Sequence, residues 1–204
     1  MPIILPQPLY FIRHGETDWN KTGRLQGQKD IPINGRGIDQ AESVGRQLKK
    51  YLHKKNYDDA AIAALSYIAS PLDRTQHTMR LVRGAMGLDP HDFSCDPCLM
   101  ELSFGAWEGL GWDDVKHDIP AAALEREKGK WTFQPPGGES YAMLAERVKP
   151  FLLGLTQETI VVSHGGVARV FLTLLSDLAP HTAANVDIWQ GRFIVFDQGR
   201  FEWV

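Results

Sequence analysis

The sequence predicts an α/β fold, a three-layer α/β/α sandwich with a mostly parallel central sheet. Short apolar runs at 9–12, 65–69 and 159–163 alternate with longer stretches whose apolar residues recur at helical spacing, the pattern of a parallel sheet covered on both faces. Two of the runs end in a histidine followed by glycine, Arg13-His14-Gly15 and Ser163-His164-Gly165-Gly166. Adjacent parallel strands would aim both imidazoles into one crevice, because open α/β sheets bind ligands beyond the carboxyl ends of their strands. The 204 residues are 43% hydrophobic and 23% charged, an ordinary globular composition at a size that one domain, 1–204, accounts for.

In chain order, Leu9-Tyr10-Phe11-Ile12 reads as a buried strand. The loop 20–34, rich in Gly and Asn, crosses the front of that strand, and a helix over 35–50 follows with Ile38, Ala41, Val44 and Leu48 at helical spacing. The second strand, 65–69, is closed by Ser70-Pro71, which fit the N-cap and first position of a helix over 73–85. Arg74 then falls in the first turn, where a positive charge opposes the helix dipole unless an anion compensates it. Residues 93–99 read as a short edge strand ended near Pro97, 111–129 as one or two short helices, and 134–138 as a Pro-Gly loop. A helix over 139–153 carries Pro150 in its last turn, where a kink is expected. Strand 159–163 leads into a helix over 166–176, and 186–196 supplies a last strand, hairpin-like around Gln190-Gly191 with the tail 201–204.

Composition narrows the function. With 22 basic against 25 acidic side chains the formal charge is −3, so nothing in the bulk electrostatics points to nucleic acid or a membrane surface. An anionic ligand has to be held by local positive groups. No run approaches the roughly 20 apolar residues of a membrane span, and the N-terminus lacks a signal-peptide pattern, so a cytoplasmic location is expected. Cys95 and Cys98 form a lone Cys-x-x-Cys with no second pair and read as free thiols. The glycines of 23–28 do not make a phosphate-cradling P-loop, since no Gly-Lys-Ser/Thr follows. The two strand-end histidines, one with Arg13 beside it, instead place nucleophile-capable imidazoles next to a fixed guanidinium, which is the makings of a phosphate site.

Six stretches carry a resemblance: Arg13-His14-Gly15-Glu16-Thr17-Asp18-Trp19-Asn20, Gly23-Arg24-Leu25-Gln26-Gly27, Ser70-Pro71-Leu72-Asp73-Arg74-Thr75, Glu101-Leu102-Ser103-Phe104-Gly105-Ala106-Trp107-Glu108-Gly109, Pro136-Gly137-Gly138-Glu139-Ser140 and Ser163-His164-Gly165-Gly166. In these, and in this order, the chain resembles the histidine phosphatase superfamily, the phosphoglycerate mutase-like group that holds cofactor-dependent mutases and small phosphatases. The resemblance implies that His14 is the nucleophile that becomes a phosphohistidine and that Arg13, Arg74 and His164 hold the phosphoryl oxygens. It further implies that Asn20 adds a side-chain donor, that the Gly165 N–H completes the pocket, and that Glu101 gives and takes the proton. Arg24, Gln26 and Gly27 lie where relatives border the substrate entrance. No metal and no other cofactor is expected.

The chemistry agrees with those roles. A phosphate monoester brings about two negative charges, which arginine forks can hold at any pH near neutrality. Neutral imidazole can attack phosphorus, and a charged His164 beside it could assist as a donor. Glu16, Glu108 and Glu139 remain open beside Glu101 as carboxylates within the motifs, and Trp19, Trp107 and Trp112 are equally core or pocket wall.

The mutases of this group carry Arg-His-Tyr-Gly after the acid, whereas Glu101 is followed by Leu102-Ser103-Phe104-Gly105, which looks more like broad-specificity phosphatases and α-ribazole-5'-phosphate phosphatases. The expected function is a metal-independent phosphomonoesterase acting on a small phosphorylated metabolite through a phosphohistidine. The alternatives are a mutase-type phosphotransferase and a non-catalytic module that binds a phosphoryl ligand. The entrance is expected to be aromatic, with few clamps for a second anion unless Arg24, Lys29 or Lys130 reaches inward. Monomer and homodimer are both compatible with the sequence, the latter through the edge of the last strand.

Overall fold

The computed structural model describes residues 1–204. One sheet is built from β1 (Leu9–Arg13), β2 (Ser66–Ala69), β3 (Ser94–Cys95), β4 (Thr159–Ser163), β5 (Phe193–Asp197) and β6 (Arg200–Trp203), in the spatial order β3-β2-β4-β1-β5-β6. The first four are parallel, and β5 and β6 form an antiparallel ribbon along β1. The helices are α1 (Asp18–Lys21), α2 (Gly35–Lys54), α3 (Asp59–Ala63), α4 (Asp73–Met86), α5 (Trp112–Asp118), α6 (Pro120–Lys128), α7 (Tyr141–Gly154), α8 (Gly165–Leu174) and α9 (Pro180–Ala183).

Period-two alternation divides the apolar strand residues between two cores. Leu9 and Phe11 of β1, Val161 of β4, and Ile194 and Phe196 of β5 pack with α7 and α8. Tyr10 and Ile12, Ile160 and Val162, and Phe193 and Val195 pack with α2 and α4 on the opposite face. The sandwich is therefore three layers deep, as the sequence predicts.

Strand register sets the site. Leu9 lies opposite Thr159 and Arg13 opposite Ser163, so β1 and β4 end level and deliver His14 and His164 side by side. The chain after β1 is held down by helix starts. The Asn34 side chain accepts the Gly37 N–H at 3.0 Å to cap α2, and Gly15 and Gly37 meet backbone to backbone, so closely that a Cβ on either would strike the other segment.

Three sequence expectations are corrected here. Ser70 does not cap α4: the helix starts from Leu72 without a side-chain cap, and the Asp30 carboxylate of the preceding loop takes the Asp73 N–H at 3.0 Å. The edge strand shrinks to Ser94–Cys95, because Asp96 accepts the Cys98 N–H and starts a 3-10 turn over Pro97–Leu99. The final hairpin closes at Gln198-Gly199, both in the left-handed region as a two-residue hairpin turn requires. Residues 186–192 leave the sheet instead, and their polar groups turn toward the end of β1. Other bounds differ by a few residues; α2 runs on to Lys54, and 111–129 resolves into α5 and α6.

Candidate active site

His14 is buried, and its Nδ1 lies 2.8 Å from the Gly15 carbonyl oxygen. That contact requires the proton on Nδ1, which leaves the Nε2 lone pair free. The His164 ring, also buried, lies 5.3 Å away between centroids. Its Nε2 is 2.8 Å from the Ser70 hydroxyl, while its Nδ1 is buried and has no hydrogen-bond partner. Burial is the largest cause holding both histidines well below the ordinary imidazole range, and Arg74 and Arg13 add to it. The expectation of a charged His164 is therefore corrected for the free site: both rings are neutral there, and only an arriving anion would favour charge.

Arg13 and Arg74 flank the two rings. Arg74 is fully buried, donating through Nη1 to Lys29 O at 2.6 Å and through Nη2 to Gly27 O at 2.7 Å. Arg13 donates through Nη1 to Ile188 O at 2.8 Å. Each keeps a buried Nε without a partner. Burial pushes Arg13 down to about 10 and lowers Arg74, with neighbouring Glu101 opposing both shifts. Both stay charged at neutral pH, and Arg13, Arg74 and His164 together present three buried nitrogens that lack an acceptor or donor.

Glu101 is the carboxylate that faces this group. Its Oε1 accepts the Leu102 N–H at 2.8 Å and the Gly166 N–H at 3.0 Å; Oε2 has only a longer contact, 3.1 Å, to the same Gly166 amide. The other acids are committed elsewhere. Glu16 takes Asn34 Nδ2 and faces Arg36, Glu108 receives the Gln28 amide, and Glu139 forms a two-pronged pair with Arg147. Gly165 occupies the first position of α8, where an N–H has no intrahelical acceptor.

The remaining expected residues divide. Asn20 lies at the rim, where its Oδ1 accepts from Thr17 N, at 3.2 Å, and from Gln190 Nε2, at 3.0 Å, which directs its NH2 outward from those contacts. Gly27 reaches the site through its carbonyl on Arg74, and Gln26 is buried beside it with Oε1 unpartnered. Arg24 is exposed, bridged through its backbone to Gly111, and touches none of the central residues. Trp107 is core, stacked on Phe133 at 5.3 Å, rather than pocket wall.

Sequence reasoning missed the supports. Thr78 Oγ1 takes the Gly15 N–H at 3.0 Å, and Gln190 donates to His14 O at 3.1 Å. Arg147 donates to the carbonyls of Cys98, Met100 and Glu101, so one guanidinium ties the whole segment leading to the acid. No local motif announces such contacts; Arg147 sits within a helix pattern, and Gln190-Gly191 reads as a turn.

Known proteins are similar to this chain along most of its length. The family profile of the histidine phosphatase superfamily (branch 1) matches residues 9–204. The chain is 28% identical over 195 residues to a 2,3-bisphosphoglycerate-dependent phosphoglycerate mutase of Beijerinckia indica, covering 92% of this chain and 90% of the relative. Among solved structures, TTHB049 of Thermus thermophilus is 33% identical with a TM-score of 0.68, covering 95% of both chains. A proposed alpha-ribazole-5'-P phosphatase of Escherichia coli K-12 is 28% identical with a TM-score of 0.76, covering 97% of this chain and 94% of that one. With its two histidines and two arginines gathered at the ends of β1, β4 and the start of α4, the chain belongs to branch 1 of the histidine phosphatase superfamily.

Proposed function

We propose that the protein is a phosphomonoesterase that releases inorganic phosphate from a small phosphorylated metabolite through a phosphohistidine at His14. One observation carries the reading: a neutral His14 with a free Nε2 is surrounded by unpartnered buried nitrogens of Arg13, Arg74 and His164. Buried donors without partners are costly, and a phosphoryl group supplies the oxygens they lack.

In the first half-reaction His14 Nε2 attacks phosphorus as the ester P–O bond breaks, and Glu101 gives its proton to the departing oxygen. Oε2 is the oxygen for this transfer, since Oε1 already accepts two amides. In the second, water attacks phosphorus, Glu101 takes its proton, and the P–N bond breaks to free phosphate. Splitting the displacement in two lowers each barrier, while Arg13, Arg74, His164 and the Gly165 N–H hold the equatorial oxygens.

A mutase-type phosphotransferase is the second reading, favoured by the names of the curated relatives. Leu102-Ser103 after Glu101, in place of the arginine and histidine expected of a mutase, supports hydrolysis. The test is phosphate release from p-nitrophenyl phosphate and metabolite esters with chelator present, beside His14→Ala. Release that persists in chelator and vanishes in the variant is expected. Isomerisation of phosphoglycerates without release would establish the mutase, and a folded protein that neither turns over an ester nor acquires acid-labile phosphate would leave only ligand binding.

A further inference from the structure

We propose that the open edge of β6 joins a second copy of this chain, the two strands pairing antiparallel about a two-fold axis at Phe201, so that Arg200 of each copy meets Glu202 of the other. The sheet ends in β3 on one side and in β6 on the other. β3 has two residues and runs straight into the turn at Pro97, which blunts that edge. β6 has four residues in unbroken register with β5, contains no proline, and has no strand on its far side.

The backbone phase of β6 shows which groups face outward. Val204 and Phe193 exchange both backbone hydrogen bonds, the Val204 N–H donating at 3.0 Å and the Phe193 N–H at 3.3 Å. Antiparallel ladders alternate bonded and non-bonded pairs, so Glu202 opposite Val195 and Arg200 opposite Asp197 also turn their N–H and C=O toward β5. Phe201 and Trp203 point theirs the other way, and no group of the chain meets them. Grooves run along both faces of the strand. One of about 450 Å³ lies between it and Tyr51 and Lys55, and one of about 420 Å³ between it and Ser176, Asp177 and Leu178. The faces fall away from β6, and its outer edge stands clear.

Phase and charge together select one partner and one register. Outward groups must meet outward groups, so a symmetric antiparallel pair can centre on Arg200, Phe201 or Glu202. Centring on Arg200 sets guanidinium against guanidinium, and centring on Glu202 sets carboxylate against carboxylate. Centring on Phe201 lets its N–H and C=O bond to those of its own counterpart, and places Arg200 opposite Glu202 twice. It also brings Trp203 opposite Gly199 of the hairpin turn, an aromatic ring over a glycine. Charges on an edge ordinarily ward off pairing. Here they have opposite sign and stand two residues apart, both exposed, so the strand is complementary to itself. Neither has an ion-pair partner within the chain; Glu202 accepts only the Tyr51 hydroxyl, at 2.9 Å.

The experiment is sedimentation velocity of the full chain from about 1 to about 100 μM, a range that brackets a micromolar dissociation constant. Wild-type protein is expected to dimerise, and to do so more weakly as salt is raised. Arg200→Glu and Glu202→Arg each set like charges opposite one another and should weaken the dimer about tenfold or more. An equimolar mixture of the two variants should associate again, because one copy then brings two acids and the other two bases. Hydrogen exchange at the Phe201 amide should slow as wild-type concentration rises and stay unchanged in Arg200→Glu. Arg200, whose guanidinium has no partner in the chain, carries the test alone if Glu202→Arg folds poorly. A wild-type monomer throughout the range overturns the proposal. So does a dimer that Arg200→Glu leaves as tight as before, or a mixture of folded variants that associates no better than either alone.

Discussion

The two neutral histidines make stability depend steeply on pH before any carboxylate is protonated. His14 and His164 are 2% and 0% exposed, and burial beside Arg13 and Arg74 holds both well below the ordinary imidazole value. In the unfolded chain each regains its ordinary value of about 6.5. Below that pH the unfolded state binds more protons than the folded one, so stability rises with pH across the interval and falls as the solution is acidified. Each unprotonated buried histidine contributes a slope of about 1.4 kcal/mol per pH unit, hence about 2.7 kcal/mol per unit for the pair. Against a total of roughly 5–15 kcal/mol this is a large loss. Urea unfolding midpoints at constant m-value, taken from about pH 7 to about pH 5.5, measure it. Replacing either histidine by Gln should halve the slope, and on the proposed function saturating inorganic phosphate should bind the folded site and recover part of the loss. A flat profile, or a slope indifferent to both substitutions, would refute neutral burial of the pair.

Arg147→Met removes the tie on the segment before Glu101 and leaves Glu139 unpaired; a loss of about 3 kcal/mol in urea unfolding is expected, with kcat reduced while p-nitrophenyl phosphate KM changes little, and Arg147→Lys recovering part of both. Gly166→Ala places a methyl group against the Glu101 carboxylate, so kcat should fall by about tenfold or more with the far-ultraviolet spectrum intact, an outcome read by steady-state kinetics beside circular dichroism. Ser70→Ala leaves His164 Nε2 without its hydroxyl partner, which should cost about 1–3 kcal/mol of stability in denaturant titrations and weaken inorganic phosphate binding.

The fold was legible wherever a residue's surroundings follow from its neighbours in sequence. The apolar runs of β1 and β4 alternate between two cores, and helical spacing in 35–50 marks the face that α2 buries. His14, Arg13 and His164 stand at the ends of β1 and β4 and Arg74 in the first turn of α4, positions the sequence pattern marks, whereas Glu101, in a loop after a 3-10 turn, was singled out by the resemblance alone. What escaped depends on contacts between distant segments. Ser70 looks like a cap until His164 is brought beside it, and Asp30 takes the capping task from a loop. Residues 186–192 look like strand because Val186 and Ile188 are β-branched, yet their carbonyls are claimed by Arg169 and Arg13.

The place of β4 in the sheet has a consequence for how the chain is made. Emerging long after β1 and β2, it is laid between them, and β5 then closes the free side of β1. A ribosome that has not yet reached residue 159 displays two strands with open edges and an anion pocket lacking His164, Gly165 and Glu101's amide partner on α8. Contacts of such long range form slowly, and uncovered edges invite pairing with other chains. The grouping of His14, Arg74, Glu101 and His164 therefore forms only once β4 and the start of α8 have been made, and until then the open edges of β1 and β2 are exposed to other chains.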